Sequence, residues 1–317
     1  MAVVALKPVD RVEVLSIMDN SIDVLVGDTS IARRAPRARD SFSRPQLRAE
    51  HGVSMLVTIY EGGNKDSFLF DTGVSIDGVL HNLDSLEVKP KELHAIVLSH
   101  GYTDHTRGLI GLIKRYGRPR IPIVLHPDAF LQRKNVHPDG HETEHIPPNQ
   151  RDLEAEDIQI VEERGPTMLV AGHALVTGQI ARTTPFEKGT PTQVASIDGK
   201  WQPDPWIHDD QAVILNVRDK GLVVLTGCGH AGVVNTLKHA RSITGIDNIH
   251  AVIGGFHLTG PVFAPIIAPT IEALKEFNRS VIVPEHCTGW RAIHLIAQKF
   301  PDAFVPNSVG TTMVIGA

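Results

Sequence analysis

A short group of histidine and aspartate residues follows a strongly apolar segment about one third of the way along the chain. The stretch VLSHGYTDHTRGL, residues 97–109, contains His100, Asp104 and His105 within six positions. Neutral imidazole and carboxylate are the usual protein ligands of Zn²⁺ and related first-row divalent ions. Because the stretch passes from a strand end into a helix start, a rigid backbone holds all three side chains and lets them converge. The spacing therefore predicts a metal-binding loop.

Short β-branched segments separated by Gly, Pro and Asp turns surround this loop. In the first half the predicted strands are RVEVLSIMD (11–19), SMLVTIYEG (54–62), SFLFDTG (67–73) and AIVLS (95–99). Residues 75–86 and 104–117 are predicted to be helices, and Gly117 supplies a stop signal for the second one.

The second half of the chain repeats this organisation. Its predicted strands are QAVILNVRD, LVVLTGC, AVIGGFH, VIVPEHC and TTMVIGA, and WRAIHLIAQKF is predicted to be a helix. Strands precede helices in both halves, which favours an α/β (α+β) fold of two mixed sheets packed face to face with helices outside each sheet.

Two segments interrupt the pattern. Residues 30–50 carry six arginines against Asp40 and Glu50. They are interpreted either as a solvated surface loop or as a lid or anion-attracting rim over the site. Residues 139–157 are acidic and interrupted by proline, and they predict a surface excursion. We expect both segments to be insertions in one domain that spans residues 1–317.

Composition excludes several classes of protein. The 317 residues are 42% hydrophobic and 21% charged, which is ample for a large buried core, and the net charge of -5 argues against a nucleic-acid surface. The sequence contains no apolar stretch of roughly 18 residues and no secretory signal pattern at its start. Two cysteines are too few for a disulfide framework. We expect a cytoplasmic protein with a small-molecule substrate and neither nucleic-acid nor membrane partners.

Several segments together resemble one branch of the metallo-β-lactamase superfamily. HGYTDH resembles the signature H-x-H-x-D-H, and FLFDTG is similar to the Asp-containing strand end that precedes it. EHGVSMLV, FDTGVSIDGVLHNL, TGQIARTTPFEKG, DDQAVILNVRDKGLVVLTGCGHAGVVNT, AVIGGFHLTG and PEHCTG extend the resemblance. The branch is typified by the 7,8-dihydropterin-6-ylmethyl-4-(β-D-ribofuranosyl)aminobenzene-5'-phosphate synthase-like metal-dependent hydrolases. The resemblance implies a four-layer αββα sandwich, with the site at one edge between the two sheets.

The resemblance also implies one or two metal ions, Zn²⁺ or alternatively Mn²⁺ or Fe. On that template His100 binds the first metal, and Asp104 with His105 binds the second. His230, in TGCGH, follows a predicted strand and is expected to reach the loop from the second half of the chain. His286, in VPEHCTG, matches the last metal-ligand position of the superfamily.

Other residues are assigned more loosely. Asp104 and His257 are the predicted catalytic residues, and His257, in GGFHLTG, is interpreted as a substrate donor, a metal ligand or a structural residue. Asp210 is interpreted as a ligand or as an acceptor that orients an imidazole. Cys228 stands where many relatives carry a bridging aspartate, and it is either a thiolate ligand or a small buried residue. Asp71 is expected to support the metal-binding loop through hydrogen bonds.

Tyr102 and Arg107 depart from the superfamily pattern. The pattern has a histidine in place of Tyr102, and a phenol with a pKa near 10 is a poorer neutral ligand, although a metal can stabilise its phenolate. Three alternatives follow: a phenolate ligand, a weak or empty first metal site, which is favoured, or a first site rebuilt from another residue. Arg107 is predicted either to bind an anionic substrate group or to lie on the helix surface.

The expected function is metal-dependent hydrolysis of an ester-type bond, since a bound ion lowers the pKa of its water from 15.7 towards about 7. A phosphoester or cyclic phosphate is favoured by the branch resemblance and by the arginines of residues 30–50, with a lactone or carboxylic ester next. The alternatives are a pterin-related metal-dependent synthase of the same fold and a catalytically decayed ligand-binding protein.

Overall fold

Two large mixed β-sheets pack face to face, and helices cover the outer face of each sheet. The structure is a computed structural model that describes residues 3–36, 40, 45–89, 93–116, 121–155, 158–277 and 279–317. An apolar core made of side chains from both sheets, including Val57, Phe68, Val223 and Ile253, fills the space between them. The four-layer αββα sandwich predicted from the sequence is confirmed.

The first sheet has eight strands and contains the last strand of the described chain. In spatial order the strands are Ile160–Glu162, Ile123–Leu125, Leu93–Val97, Asn64–Phe70, Ser54–Glu61, Arg11–Met18, Thr312–Gly316 and Ala32–Arg33. The four strands predicted in the first half overlap four of these. The last predicted strand, TTMVIGA, joins this sheet by antiparallel pairing with Arg11–Met18.

The second sheet has seven strands. In spatial order six of them are Thr167–Leu169, Ala174–Val176, Ala212–Val217, Gly221–Thr226, Ile249–Gly255 and Val281–Glu285, and Pro8–Val9 pairs with Ala212–Val217. The last three of the six are mutually parallel. Their carboxyl ends therefore meet at one edge of the sheet, and the residues that follow them are brought together there.

Seven α-helices are described, and short 3-10 turns connect several of the strands. The helices are Gly78–Ser85, Thr103–Thr106, Leu109–Tyr116, Gln150–Ala155, Val233–Thr244, Ile267–Leu274 and Trp290–Lys299. The 3-10 turns are Pro127–Phe130, Val170–Gly172, Ala264–Ile266 and His286–Thr288. Among the described residues no helix combines the length and the apolar character that crossing a bilayer requires.

The single helix predicted over residues 104–117 is wrong, because the segment forms two helices separated at Arg107 and Gly108. Gly108 packs against the main chain of Thr72. A Cβ atom on residue 108 would lie 2.0 Å from the carbonyl oxygen of Thr72. This close approach fixes the second helix against the strand end at Thr72. The predicted stop at Gly117 lies outside the described residues.

A third sheet of four strands does not pair with either sheet of the sandwich. Its strands are Lys200–Pro203, Gln193–Ile197, Arg133–Val136 and Glu142–His145. Within residues 139–157, Glu142–His145 pairs antiparallel with Arg133–Val136 and Gln150–Ala155 is helical. That this segment is a surface excursion inserted into the domain stays a prediction. Residues 156 and 157 lie outside the described part of the chain.

The basic segment at residues 30–50 is described only in part. Ala32–Arg33 forms an edge strand against Thr312–Gly316, so this part is not a free loop. The Arg34 guanidinium donates to the main-chain oxygens of Gly27 and Pro306, and Arg48 forms an ion pair with Asp77. Of the six arginines, Arg37, Arg39 and Arg44 lie outside the described residues.

Replacing Phe68 with alanine tests the core between the sheets. Phe68 is fully buried in that core, and a Phe-to-Ala change at such a site costs about 3–5 kcal/mol because a cavity remains. We expect denaturant unfolding to show a loss of this size. Leu25→Ala is the control, since Leu25 is 77% exposed and should change the free energy of unfolding by less than about 0.5 kcal/mol. Equal effects would contradict the described packing.

Candidate metal centre

Strand ends from both sheets converge at one edge of the sandwich. Residues 100–105 follow the strand Leu93–Val97 of the first sheet, and residues 228–230 follow Gly221–Thr226 of the second. His257 and His286 follow the next two parallel strands of the second sheet. The sequence prediction that distant histidines meet the loop at residues 100–105 is therefore in agreement with the described geometry.

Four side chains form the most complete set of donors, which we call the four-donor group: Asp104, His105, Cys228 and His286. Their ligand atoms all lie within 4.8 Å of one another. His105 Nε2 is 3.2 Å from Cys228 Sγ, and His286 Nε2 is 3.2 Å from the Asp104 carboxylate. One carboxylate, two imidazoles and one thiol are the donor types that zinc-class ions take in proteins.

A second set of donors, the imidazole group, shares Cys228 and adds His100 and His230, again within 4.8 Å. Among the described residues, His100 Nε2 and both ring nitrogens of His230 are buried without a hydrogen-bond partner. Buried polar atoms without partners are uncommon in folded proteins and call for an explanation such as a bound ion. These orphaned nitrogens show that the residues present fit a metal ion.

Asp71 holds the metal-binding loop from below. One carboxylate oxygen accepts the Ser99 main-chain N–H at 2.7 Å, and the other accepts the Ser99 hydroxyl and lies 2.7 Å from His105 Nδ1. This contact directs the other ring nitrogen of His105 into the four-donor group. Asp71 has a left-handed backbone with φ of 60°, a conformation that aspartate tolerates better than most residues. The predicted supporting role of Asp71 matches its position.

Two buried carboxylates beside each other position the rest of the site, and sequence reasoning missed one of them. Asp209 accepts the Gly101 main-chain N–H at 2.8 Å and pairs with the buried guanidinium of Arg133. Asp210 accepts the Ala231 main-chain N–H at 2.7 Å, which holds the turn that carries His230. Asp210 therefore orients a ligand loop, and the described donor groups do not include it.

His286 is fixed by residues near the end of the first long strand. Its main-chain N–H donates to Asp19 at 2.9 Å, and its Nδ1 lies 3.0 Å from the side-chain oxygen of Asn20. His51, which sequence reasoning also missed, has its ring centroid 4.5 Å from that of His286 and its Nε2 3.7 Å from the Asp104 carboxylate. The EHGVSMLV segment was the available signal for His51.

Tyr102 forms part of the cavity wall. Its buried ring stacks on the imidazole of His145, with centroids 3.8 Å apart and planes 8° from parallel. The third sheet delivers His145, and the Thr103 hydroxyl fastens that sheet to the loop through two hydrogen bonds with the main chain of Ile146. The Tyr102 hydroxyl has no hydrogen-bond partner in the described part of the chain. The three alternatives for the metal chemistry at this position remain predictions.

Burial and charge set the protonation of the donors. Burial holds the pKa values of His100 and His230 well below the usual range, which favours the neutral imidazole that metal binding requires. Burial also opposes the charged form of His105, but the nearby Asp104 and Asp71 carboxylates outweigh it and raise the pKa of His105 to about 9. Burial opposes ionisation of Asp104 too, yet the His105 and His286 imidazoles hold its pKa well below the ordinary value.

Four of the donors, Asp104, Cys228, His230 and His286, line a cavity of about 460 Å³, whereas His100 and His105 lie behind its surface. Its lining contains imidazoles, thiols, small hydroxyls and apolar groups: His51, Val74, Tyr102, Thr103, Asp104, Asn135, Glu144, His145, Ile146, Thr190, Cys228, His230, His257, His286 and Cys287. No lysine or arginine occurs among these lining residues. Arg107, predicted as an anion-binding residue, is exposed at the end of the helix Thr103–Thr106 and does not line the cavity, which favours the helix-surface alternative.

Comparisons with known proteins agree with the described fold. The family model for the metallo-beta-lactamase superfamily matches residues 47–243. The chain is 31% identical over 262 residues to a Methanocaldococcus jannaschii protein named 7,8-dihydropterin-6-methyl-4-(beta-D-ribofuranosyl)-aminobenzene-5'-phosphate synthase, covering 81% of this chain and 87% of that protein. A crystal structure described as a metal-dependent hydrolase of the beta-lactamase superfamily superposes with a TM-score of 0.73 at 23% identity, covering 96% of this chain and 100% of the other.

Asp71→Asn tests the support beneath the loop. Asparagine keeps the size and tolerates the left-handed backbone, but it removes the charge that orients His105. We expect metal affinity, measured by competition with a chromophoric chelator, to fall about 10- to 100-fold. Asp66→Asn is the matched control, because Asp66 lies on the strand that ends just before Asp71 and contacts only the half-exposed His94 in the described hydrogen bonds. Unchanged affinity in Asp71→Asn would contradict the positioning role.

Proposed function

This chain belongs to the metallo-β-lactamase superfamily, and from that premise we propose that it is a metal-dependent hydrolase of an ester-type bond. The observation that carries the proposal is the convergence of Asp104, His105, Cys228 and His286, of which all but His105 line a solvent-reachable cavity. Superfamily membership and a relative named as an enzyme support the assignment as an enzyme.

One divalent ion would be held by the four-donor group. The imidazole group retains His100 and His230 but has Tyr102 where the family pattern has its third imidazole, so we propose that its metal position is weak or empty. A bound divalent ion supplies two kinds of chemistry, a water made acidic enough to act as a nucleophile near neutral pH and polarisation of the scissile phosphoryl or carbonyl oxygen.

The chain's own residues would orient the substrate and move protons. The Asp104 side chain is partly exposed to the cavity, and its neighbouring imidazoles hold its pKa below the ordinary value, so we propose that its carboxylate binds metal and accepts a hydrogen bond from the attacking water. His257 lines the cavity, packs against His230 with ring centroids 4.2 Å apart, and has a buried Nδ1 without a partner among the described residues. We propose that one ring nitrogen of His257 donates to the oxygen that gains charge, which leaves its other ring nitrogen free for another role. His51, at the mouth, would connect Asp104 with solvent.

The substrate proposed first is a phosphoester or cyclic phosphate, with a lactone or carboxylic ester next. The support is the 31% identical relative, whose name contains a 5'-phosphate. The arginines of residues 30–50 add no support from the described residues, since Arg33, Arg34 and Arg48 do not line the cavity. A phosphate in this cavity would therefore depend on bound cations and on donors such as Thr103 and Asn135 for charge balance and orientation.

A second candidate function is a metal-dependent synthase of the same fold. The same relative favours it, because that protein is named a synthase and matches most of both chains. Such an enzyme needs the same metal-binding residues but releases a joined product and not two hydrolysis products. Product analysis of a reaction with a dihydropterin that carries a leaving group on its 6-methyl carbon and a ribofuranosylaminobenzene 5'-phosphate separates the two candidates, since the synthase would release that leaving group and the joined product.

His286→Ala tests the proposed centre. Removing one of four donors should release about one equivalent of metal from protein purified without added metal and reduce turnover to background. Elemental analysis and ester hydrolysis measure the two effects. His294→Ala is the control, because His294 is exposed on the helix Trp290–Lys299 and contacts Trp290. Full activity of His286→Ala without metal would exclude the metal-dependent mechanism.

A substrate panel tests the proposed class. We expect zinc-loaded protein to hydrolyse bis(4-nitrophenyl) phosphate or 4-nitrophenyl phosphate faster than an acyl lactone or 4-nitrophenyl acetate, with activity lost on chelation and recovered on adding metal. Faster lactone or carboxylic ester turnover would replace the proposed substrate class. No turnover on any of the four substrates by metal-loaded protein would contradict the hydrolase and favour the synthase or a ligand-binding role.

A further inference from the structure

Both cysteines of the chain lie at the metal centre. The sequence contains two cysteines, and Cys228 and Cys287 are both buried, reduced and part of the cavity lining. Cys228 precedes the helix Val233–Thr244, whereas Cys287 follows the strand Val281–Glu285. Two different strand ends of the second sheet therefore bring the two thiols to one place.

A histidine completes this pair. Ligand atoms of Cys228, His257 and Cys287 all lie within 4.8 Å of one another, and we call these residues the cysteine-rich group. His257 Nδ1 is buried and has no hydrogen-bond partner among the described residues. Since Zn–S bonds are near 2.3 Å and Zn–N bonds near 2.0 Å, the donors of one tetrahedral zinc ion lie roughly 3.5 Å apart. Small side-chain adjustments would therefore suffice to place one ion between these donors.

The ordinary structural role of Cys287 predicts something different. Cys287 Sγ lies 3.2 Å from the main-chain oxygen of Cys228 and donates a hydrogen bond to it. A serine in place of Cys287 would keep that hydrogen bond and nearly the same volume. A role in packing is therefore satisfied by serine, but a role as a soft metal ligand is not.

We propose that Cys228, His257 and Cys287 form a metal position selective for a thiophilic divalent ion, and that Cys228 connects this position to the four-donor group. The proposal rests on the proposed metal-dependent function and deepens it, because it assigns the second ion to thiols and not to the imidazole group. Each thiol releases its proton to solvent when it binds, and two thiolates balance the charge of one divalent cation.

The donor chemistry determines which metal is retained. Thiolates favour zinc and similar ions, whereas carboxylate, carbonyl and water ligands suit manganese and magnesium. A centre with two thiolates should therefore take up two equivalents of Zn²⁺ or Co²⁺ and fewer of Mn²⁺. This expectation follows from residues that lie outside the H-x-H-x-D-H pattern.

Cobalt titration of the full-length protein under anaerobic conditions tests the proposal. Co²⁺ bound to thiolate gives a charge-transfer absorption in the near ultraviolet, and this signal does not depend on turnover. For the original chain we expect a second equivalent of Co²⁺ to increase this absorption. In Cys287→Ser we expect the second equivalent to be lost and the absorption at saturation to fall to about one third, because only the bond of Cys228 to the first ion remains of three Co–S bonds.

Two further variants distinguish the cysteine-rich group from the imidazole group. His230→Ala and Tyr102→Phe should both keep the thiolate absorption and the second equivalent of Co²⁺. The proposal is overturned when Cys287→Ser retains the full absorption and both equivalents, or when His230→Ala loses the second equivalent while Cys287→Ser keeps it. Circular dichroism confirms that each variant is folded, and Cys228→Ser provides a second reading of the thiolate signal.

The outcomes also separate this proposal from the proposed function. If the original chain binds no cobalt or zinc, both fail. If metal binds and supports ester hydrolysis but Cys287→Ser is unchanged, only the cysteine-rich group is wrong. If the thiolate signal behaves as expected and no ester is hydrolysed, the metal position stands and the hydrolase proposal fails.

Discussion

The contact of the Asp71 carboxylate with Ser99 and His105 is the interaction on which the candidate site depends. It joins the ends of two neighbouring strands of the first sheet to the metal-binding loop, entirely within the protein interior. A buried carboxylate without partners would cost several kcal/mol of folding free energy. The folded protein therefore requires the hydrogen bonds of Asp71. These hydrogen bonds hold the loop in the conformation described above, in which His105 faces Cys228 across the boundary between the two sheets.

Much of this arrangement could be predicted from the sequence because it is local. His100, Asp104 and His105 are close in the chain, and the apolar segments before His230, His257 and His286 indicate strands whose ends can share an edge. The residues that orient these ligands were harder to find. Asp209 holds the main chain of Gly101 from 108 positions away, and no periodicity or spacing in a single sequence reveals such a contact.

The third sheet shows a different limit of sequence reading. The acidic composition of residues 139–157 predicted a surface excursion, and the Asp139–Gly140 pair indicates a turn but has no alternating apolar segments beside it that would identify a hairpin. Pairing of Glu142–His145 with Arg133–Val136 positions the His145 ring against the Tyr102 ring. Tyr102, the residue that differs from the family pattern, is therefore part of the cavity wall. The tyrosine at position 102 therefore contacts the third sheet, which is not one of the two sheets of the sandwich.

The central claim is that side chains from both sheets meet around a divalent cation, and anomalous scattering from crystals of zinc-loaded protein tests it most directly. Data collected on both sides of the zinc absorption edge locate each ion without reference to activity. The account predicts a strong peak bounded by Asp104, His105, Cys228 and His286. Zinc bound only elsewhere on the chain, or no anomalous peak in protein that elemental analysis shows to be loaded, would contradict it.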